Sequence, residues 1–192
     1  MFSGIIQTTS KASTIEKDNE GLSLTFKKQI GFTPKLGNSV SVDGICSTIE
    51  KVGKNNFSFY FMPETLKRTN IIYAGRDHLF NLELPLTPNG LISGHLVNGH
   101  VDTTSKVKSI ISEGNSIQIK FQIDPKFTKY IIYKGSITVN GVSLTVVTAN
   151  PHSFSVCLIP FTLKNTNLGK LKIGDIVNIE VDLIAKYLEK LI

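Results

Sequence analysis

The sequence predicts an all-β protein: two tandem copies of one small antiparallel barrel, closed by a short C-terminal helix. Three observations carry this prediction. The first half of the chain aligns with the second, short segments in each half alternate apolar and polar residues between turn clusters, and the last ten residues switch to helical spacing. Length agrees, since 192 residues allow one large domain or two of about 90–100 residues, each able to bury a modest core. Apolar residues make up 41% and charged residues 19%, and Ile, Leu, Val and Phe recur throughout, which excludes a disordered chain. No apolar stretch approaches the roughly 18–20 residues of a membrane span, so no membrane partner is expected. The opening MFSGIIQTTSK has no basic n-region followed by an h-region, so no secretory signal is expected. The two cysteines, Cys46 and Cys157, fit reduced thiols of the cytoplasm better than a disulfide framework. The 21 Lys+Arg against 15 Asp+Glu give a net charge of +6, spread along both halves. Such a balance can assist capture of an anion, but it does not single out nucleic acid as a partner.

The repeat is exact enough to align by eye. A shift of 97 places Asn38–Asn70 on Gly135–Asn167 without a gap, and twelve of the thirty-three positions are identical, among them Gly44/Gly141, Thr48/Thr145, Pro63/Pro160 and Asn70/Asn167. The same shift pairs Asn81–Glu83 with Asn178–Glu180, whereas a shift of 95 places Thr8–Lys11 on Thr103–Lys106 and Gly4 on Gly99. A two-residue loop difference explains the change. Chance identity is about one position in twenty, so duplication is the account. The expected units are 1–94, 95–182 and a terminal segment 183–192.

In chain order, Leu22–Phe26, Ser39–Asp43, Phe57–Phe61, Ser116–Ile123, Ser136–Val147, Ser153–Ile159 and Ile176–Leu183 alternate or are rich in Val, Ile, Thr and Phe, and are expected as strands. Turn clusters at 17–21, 51–56, 87–90, 112–116 and 148–153 separate them. Closing such short strands into a barrel protects their edges. Pro63 and Pro160 each open a stretch suited to one helical turn. In the last ten residues, Leu183, Ile184, Tyr187, Leu188, Leu191 and Ile192 share one helical face, opposite Lys186, Glu189 and Lys190. So short a helix needs its stripe covered, either by its own barrel or by another copy of the chain.

Few residues carry chemistry by pattern alone. His95 and His100 lack companions with zinc spacing, and GxGxxG, Walker and GxSxG elements are absent, so no metal and no cofactor is expected. Cys46 could be a nucleophile or a small buried apolar residue, and Ser143, at its position in the second copy, an active or a merely structural hydroxyl. The segment SGHLVNGHVDTT, residues 93–104, frames Leu96–Asn98 with two glycines and two histidines at the junction of the copies. Glycine permits close backbone approach and imidazole moves protons near neutral pH, though a linker with incidental histidines fits the same residues.

The motifs MFSGIIQ, SVSVDGICST, MPETLKRTN, GHLVNGHVD and YKGSITVNGVSLTVV, in this order, resemble the riboflavin synthase family (α-chain type), whose lumazine-binding domain is duplicated. The resemblance covers nearly the whole chain. It implies two six-stranded Greek-key barrels, a homotrimer joined through C-terminal helices, and an active site between the N-terminal barrel of one subunit and the C-terminal barrel of its neighbour. It also implies a cofactor-free dismutation. Two molecules of 6,7-dimethyl-8-ribityllumazine exchange a four-carbon unit, giving riboflavin and 5-amino-6-ribitylamino-uracil, the final step of riboflavin biosynthesis.

The resemblance also assigns residues. Ser39, Cys46, Ser47 and Thr48 match the first pocket, with Gly4, Ile5 and Ile6 and with Tyr60, Phe61, Met62, Pro63, Glu64 and Thr65 around ring and ribityl chain. Gly99, His100 and Val101 match pocket positions at the junction. Lys134, Ser143, Leu144 and Thr145 match the second pocket, together with Cys157, Leu158, Ile159, Pro160, Phe161 and Thr162. His100, Cys46, Ser143 and Asp182 are the expected catalytic or orienting groups, with Asp182, Ser143 and His100 as a proton-transfer set. Ser47 departs from the family, which has Leu after the Cys. Two identical substrates must take different roles, and Cys46/Ser143, Ser47/Leu144 and Glu64/Phe161 are differences between the copies that could assign them. Two rival readings have their own signs. A lumazine-binding fluorescent protein would share the fold without turnover, and a nucleic-acid-binding barrel would interleave aromatics with clustered Lys.

Overall fold

Period-two alternation turns every second side chain inward, and in each copy six strands close around the side chains so gathered. The computed structural model describes residues 1–18 and 20–191. Asn19, in the turn expected at 17–21, and Ile192, in the terminal stripe, lie outside the described residues. The first barrel comprises β1 (Thr8–Lys17), β2 (Leu22–Lys27), β3 (Ser39–Val42), β4 (Ile45–Val52), β5 (Asn56–Phe61) and β6 (Leu79–Glu83). The second comprises β7 (Thr103–Glu113), β8 (Ser116–Gln122), β9 (Ser136–Val139), β10 (Val142–Asn150), β11 (Ser153–Leu158) and β12 (Ile176–Val181). Both are closed and antiparallel, the first in the order β1-β2-β5-β4-β3-β6 and the second in its equivalent. Placing β2 beside β5, after the consecutive β3-β4-β5, is the Greek-key connection.

One expected strand divides. Ser136–Val147 is rich in Val, Ile and Thr throughout, yet the chain reverses at Asn140 (φ 45°) and Gly141 (φ 79°), as it does at Asp43 (φ 48°) and Gly44 (φ 80°). Asn-Gly and Asp-Gly supply the two positive φ values of a tight hairpin turn. β1, β4, β6 and β7 complete the barrels beyond the expected strands. In β1 and β7 polar residues dominate, and β6 is buried on both faces, so alternation does not mark them. Bulges recur at equivalent places, between Ala12 and Thr14 and between Val107 and Ser109, bending both barrels alike. Pro63 and Pro160 open α1 (Pro63–Arg68) and α3 (Pro160–Asn165), and a short α2 (Pro125–Thr128) follows Asp124, whose side chain accepts from the Lys126 amide.

The first core is aromatic, with Phe26 stacked on Phe57 and edge-on to Phe59 and Phe80. The second is mostly aliphatic, around the stacked pair Phe121 and Phe154. Between them runs a seam of equivalent amides. The Asn81 side chain donates to the Asn140 carbonyl while that of Asn178 donates to the Asp43 carbonyl, both at 2.9 Å. The amides of Asn167 and Asn70 donate to the side chains of Asn81 and Asn178, both at 2.7 Å. The duplication is thus visible as a pseudo-twofold axis through the seam.

The terminal helix α4 (Leu183–Leu191) is tied down by its polar side, through Lys186 to Asp102 (2.7 Å) and Glu189 to Lys129. Its apolar stripe faces away from the barrel: Ile184, Tyr187, Leu188 and Leu191 are 55–82% exposed. No described helix is long and apolar enough to cross a membrane.

Candidate active site

The candidate site begins on the outer faces of the β3–β4 and β9–β10 hairpins. In β4, Ile45, Ser47 and Ile49 point into the barrel, which leaves Cys46 and Thr48 outside, with Ser39 paired to Thr48 across the hairpin. Ser47 is buried and its hydroxyl donates to the Ile45 carbonyl at 2.9 Å, so it stands behind the outer face. In β10, Ser143 and Thr145 take the places of Cys46 and Thr48, and Leu144 packs on the second core.

Each outer face is finished by the other copy. The Ser143 amide donates to the Gly4 carbonyl at 2.8 Å, and the Cys46 amide donates to the Gly99 carbonyl at 2.7 Å. Both glycines sit at φ 76°, and a Cβ there would lie 2.6 Å from Ser143 Cβ or 2.8 Å from Cys46 Cβ. Only glycine combines that backbone with that approach. Phe2 and Val97 exchange two backbone hydrogen bonds at the centre, and the residues beyond the glycines cross over: Ile6 packs on the second core, Val101 on the first.

Two buried carboxylates hold these segments. Glu83 accepts from the Ser3 amide and hydroxyl, both at 2.8 Å, and from the Gly4 amide at 3.1 Å. Glu180, its equivalent, accepts from the amides of Asn98 (2.8 Å) and Gly99 (2.9 Å). Burial raises both carboxyls, against the amides that pull them down, and Glu180 reaches about 7.

The histidines divide differently from expectation. His95 Nδ1 lies 2.6 Å from Ser143 Oγ, and its Nε2 lies 3.1 Å from Thr138 Oγ1. Burial lowers His95, with Asp182 opposing, so the ring is neutral near pH 7 and can accept the Ser143 proton. His100 is exposed, next to the Gly99 that meets Cys46, and no described hydrogen bond joins it to Ser143. Asp182 caps α4, its carboxylate accepting from the Ile184 amide at 2.8 Å. Within one chain, then, Ser143 is joined to His95, and Asp182 acts on that ring only through its charge.

The flanks are open and apolar. Ile5, Met62, Ile159 and Phe161 are 42–70% exposed, with Pro63 and Pro160 beside them. Glu64 pairs with Arg68, and the Thr65 and Thr162 carbonyls accept from the amides of Thr69 and Thr166. Tyr60 donates to the Glu20 carbonyl, Phe61 and Leu158 belong to the cores, and Cys157 lies 3.7 Å from the Ser116 hydroxyl. Lys134 is exposed and holds φ 64° where the first copy has Gly37. A cavity of about 410 Å³ opens on the seam beside His78 and Asn167, apart from all of these residues.

The sequence placed His95 in the junction segment but assigned the catalytic role to His100, and it assigned no site role to Glu83 and Glu180. His95 stands in the same junction segment as His100, and the carboxylates stand in the repeated Asn-Leu-Glu and Asn-Ile-Glu, so the signal was the repeat itself.

Two half-sites of one design, each closed by the other copy's glycine segment, define a duplicated binding barrel. The chain belongs to the lumazine binding domain family, which matches residues 3–85 and again 98–182. It is 41% identical over 191 residues to the riboflavin synthase of Actinobacillus pleuropneumoniae, covering 99% of this chain and 89% of that one. The riboflavin synthase of Escherichia coli (strain K12) is 40% identical, with coverage of 95% and 87%, and that of Saccharomyces cerevisiae is 36% identical, with 99% and 85%. Among solved structures, the crystal structure of LumP complexed with riboflavin superposes with a TM-score of 0.86 at 22% identity, covering 94% of this chain and 99% of that one.

Proposed function

We infer that this chain is an enzyme with riboflavin synthase activity: it converts two molecules of 6,7-dimethyl-8-ribityllumazine into riboflavin and 5-amino-6-ribitylamino-uracil. The observation that carries the inference is the pair of half-sites, Cys46 facing Gly99 and Ser143 facing Gly4, related by the pseudo-twofold axis. A reaction between two copies of one substrate needs two related pockets held in fixed orientation, and such fixing lowers the barrier of a bimolecular step. The chemistry requires removal of a proton from the C7 methyl of one lumazine and addition of an oxygen nucleophile to the ring of the other. Ser143 with neutral His95 serves as the proton-accepting pair. Cys46 and His100 line the complementary half-site, and Asp182 tunes His95. Ser39, Thr48, Thr145 and Thr162 supply neutral donors and acceptors for the ribityl hydroxyls.

The exposed Ile5, Met62, Ile159 and Phe161 form apolar walls that a flat ring system or a neighbouring subunit covers. The active unit is a homotrimer, held through the outward stripe of α4, with each active site shared between the N-terminal barrel of one subunit and the C-terminal barrel of the next. The units are 1–94, 95–182 and 183–192, and the free thiols of Cys46 and Cys157 suit the cytoplasm.

The fold likeness to LumP favours one alternative, binding without turnover. Incubating the purified protein with the lumazine and following riboflavin absorbance separates the two. Riboflavin formation is expected; tight binding with no riboflavin overturns the enzyme reading.

A further inference from the structure

Glu83 and Glu180 occupy equivalent places but not equivalent surroundings. The neighbour of Glu83 is Gln7, whose neutral side chain accepts from the Leu84 amide at 3.1 Å. The equivalent of Gln7 is Asp102, which accepts from the Val181 amide at 2.9 Å and pairs with Lys186 of α4 at 2.7 Å. The second clamp therefore stands next to an ion pair that the first lacks. It also holds the segment that runs directly into His100, whereas the first runs into Ile5.

We propose that Glu180 is a positioning residue for the reaction: its carboxylate fixes the Asn98 and Gly99 amides, and through them the Gly99 carbonyl that holds Cys46 and the backbone that carries His100. This rests on the function proposed above. The two oxygens are used separately, one for each amide. A carboxamide must turn its NH2 towards one of those amides, and a protonated carboxyl accepts only weakly through its hydroxyl oxygen, so in either case one of the two anchors is lost or weakened. The anchor acts only through the backbone, since Glu180 itself is buried behind the outer face.

The titratable groups around Glu180 are Asp102 and Lys186, and His95, which bonds Thr138, the β9 partner of Glu180. Desolvation and Asp102 favour the protonated carboxyl, while the two amides and Lys186 favour the carboxylate. The balance falls near neutrality, so the clamp is complete only above about pH 7.

The test compares wild type, Glu180→Gln and Glu180→Asp in lumazine turnover across pH, with near-UV circular dichroism to verify folding. For the wild type, kcat is expected to rise with pH through a limb near 7. Glu180→Gln is expected to lose that limb and to lower kcat about tenfold to a hundredfold above it, with KM changed by less than about threefold. Glu180→Asp, which keeps the charge, is expected to retain a limb and recover part of kcat. A folded Glu180→Gln enzyme with wild-type kcat and the limb intact overturns the proposal. If that variant does not fold, a wild-type profile without a limb near 7 overturns it instead. Absence of riboflavin formation by the wild type would count against the proposed function; the clamp is then read directly from hydrogen-exchange protection of the Asn98 and Gly99 amides, where protection factors unchanged across pH 7 and in Glu180→Gln overturn the role of Glu180.

Discussion

Lys134 occupies a left-handed backbone position, φ 64°, at which the first copy carries Gly37, φ 76°. In both copies the residue donates its amide to the second strand of the hairpin that follows, Lys134 to the Val146 carbonyl in β10 and Gly37 to the Ile49 carbonyl in β4. A side chain in this region costs roughly 1 kcal/mol, so lysine here is retained against the preference of the backbone. Substitution Lys134→Gly is expected to leave thermal stability unchanged or slightly higher while raising KM for the lumazine several-fold. A melting curve and a Michaelis profile measure the two. Equal KM would remove Lys134 from the substrate pocket. Other site residues were only half legible at this scale. That Cys46 and Ser143 occupy equivalent positions follows from the alignment, and alternation places them on outer faces. The partner of Ser143 did not follow. His95 and His100 stand five apart on an irregular segment, where no period says which imidazole turns towards which barrel. Contacts between the copies decide it.

At the scale of elements, the two hairpins β3–β4 and β9–β10 set the geometry, and their turns differ in one charge. Asp43 binds the Asn81 amide with one oxygen and His78 Nε2 with the other, at 2.8 and 2.7 Å, where the second hairpin has Asn140. Burial alone would lower His78, but the hydrogen bond and charge of Asp43, with Asp175, raise it overall. A histidine raised above its unfolded value stabilises the fold fully below about 6.5, and this contribution disappears as pH rises through the folded value. The wild type is therefore expected to lose thermal stability as pH rises above about 6.5, and His78→Gln to flatten that loss. Identical slopes in the two proteins would contradict the role of the pair. The hairpins also show where pattern reading stopped. Ser136–Val147 reads as one run because Val, Ile and Thr are dense on both sides of the turn, although the inward positions shift phase there, from Ile137 and Val139 to Val142, Leu144 and Val146. The Asn-Gly pair was the available signal, and its physical content is the need for two positive φ values in a row.

For the whole molecule, the repeat made the architecture readable: one barrel predicted twice, with its duplication as the reason for paired pockets. The crossing of the copies was less readable. The segments Phe2–Gly4 and Val97–Gly99 each finish the other copy's half-site, and no local pattern announces an exchange between equivalent partners. The terminal helix is the converse case. Its stripe was plain in the sequence, and that its own barrel leaves it uncovered needed the ion pairs that hold its polar side inward. Truncation before Leu183 is expected to convert the proposed trimer into smaller species and to reduce turnover with it, because in that assembly the half-sites meet across subunits. Sedimentation showing an intact trimer would contradict this.

The central claim is that two equivalent half-sites bring two identical lumazines into reaction with each other. The direct test is product stoichiometry with the lumazine as sole substrate. The account predicts two lumazines consumed for each riboflavin formed, with one 5-amino-6-ribitylamino-uracil released alongside. Riboflavin formed without that co-product, or only when a separate four-carbon donor is supplied, would contradict it.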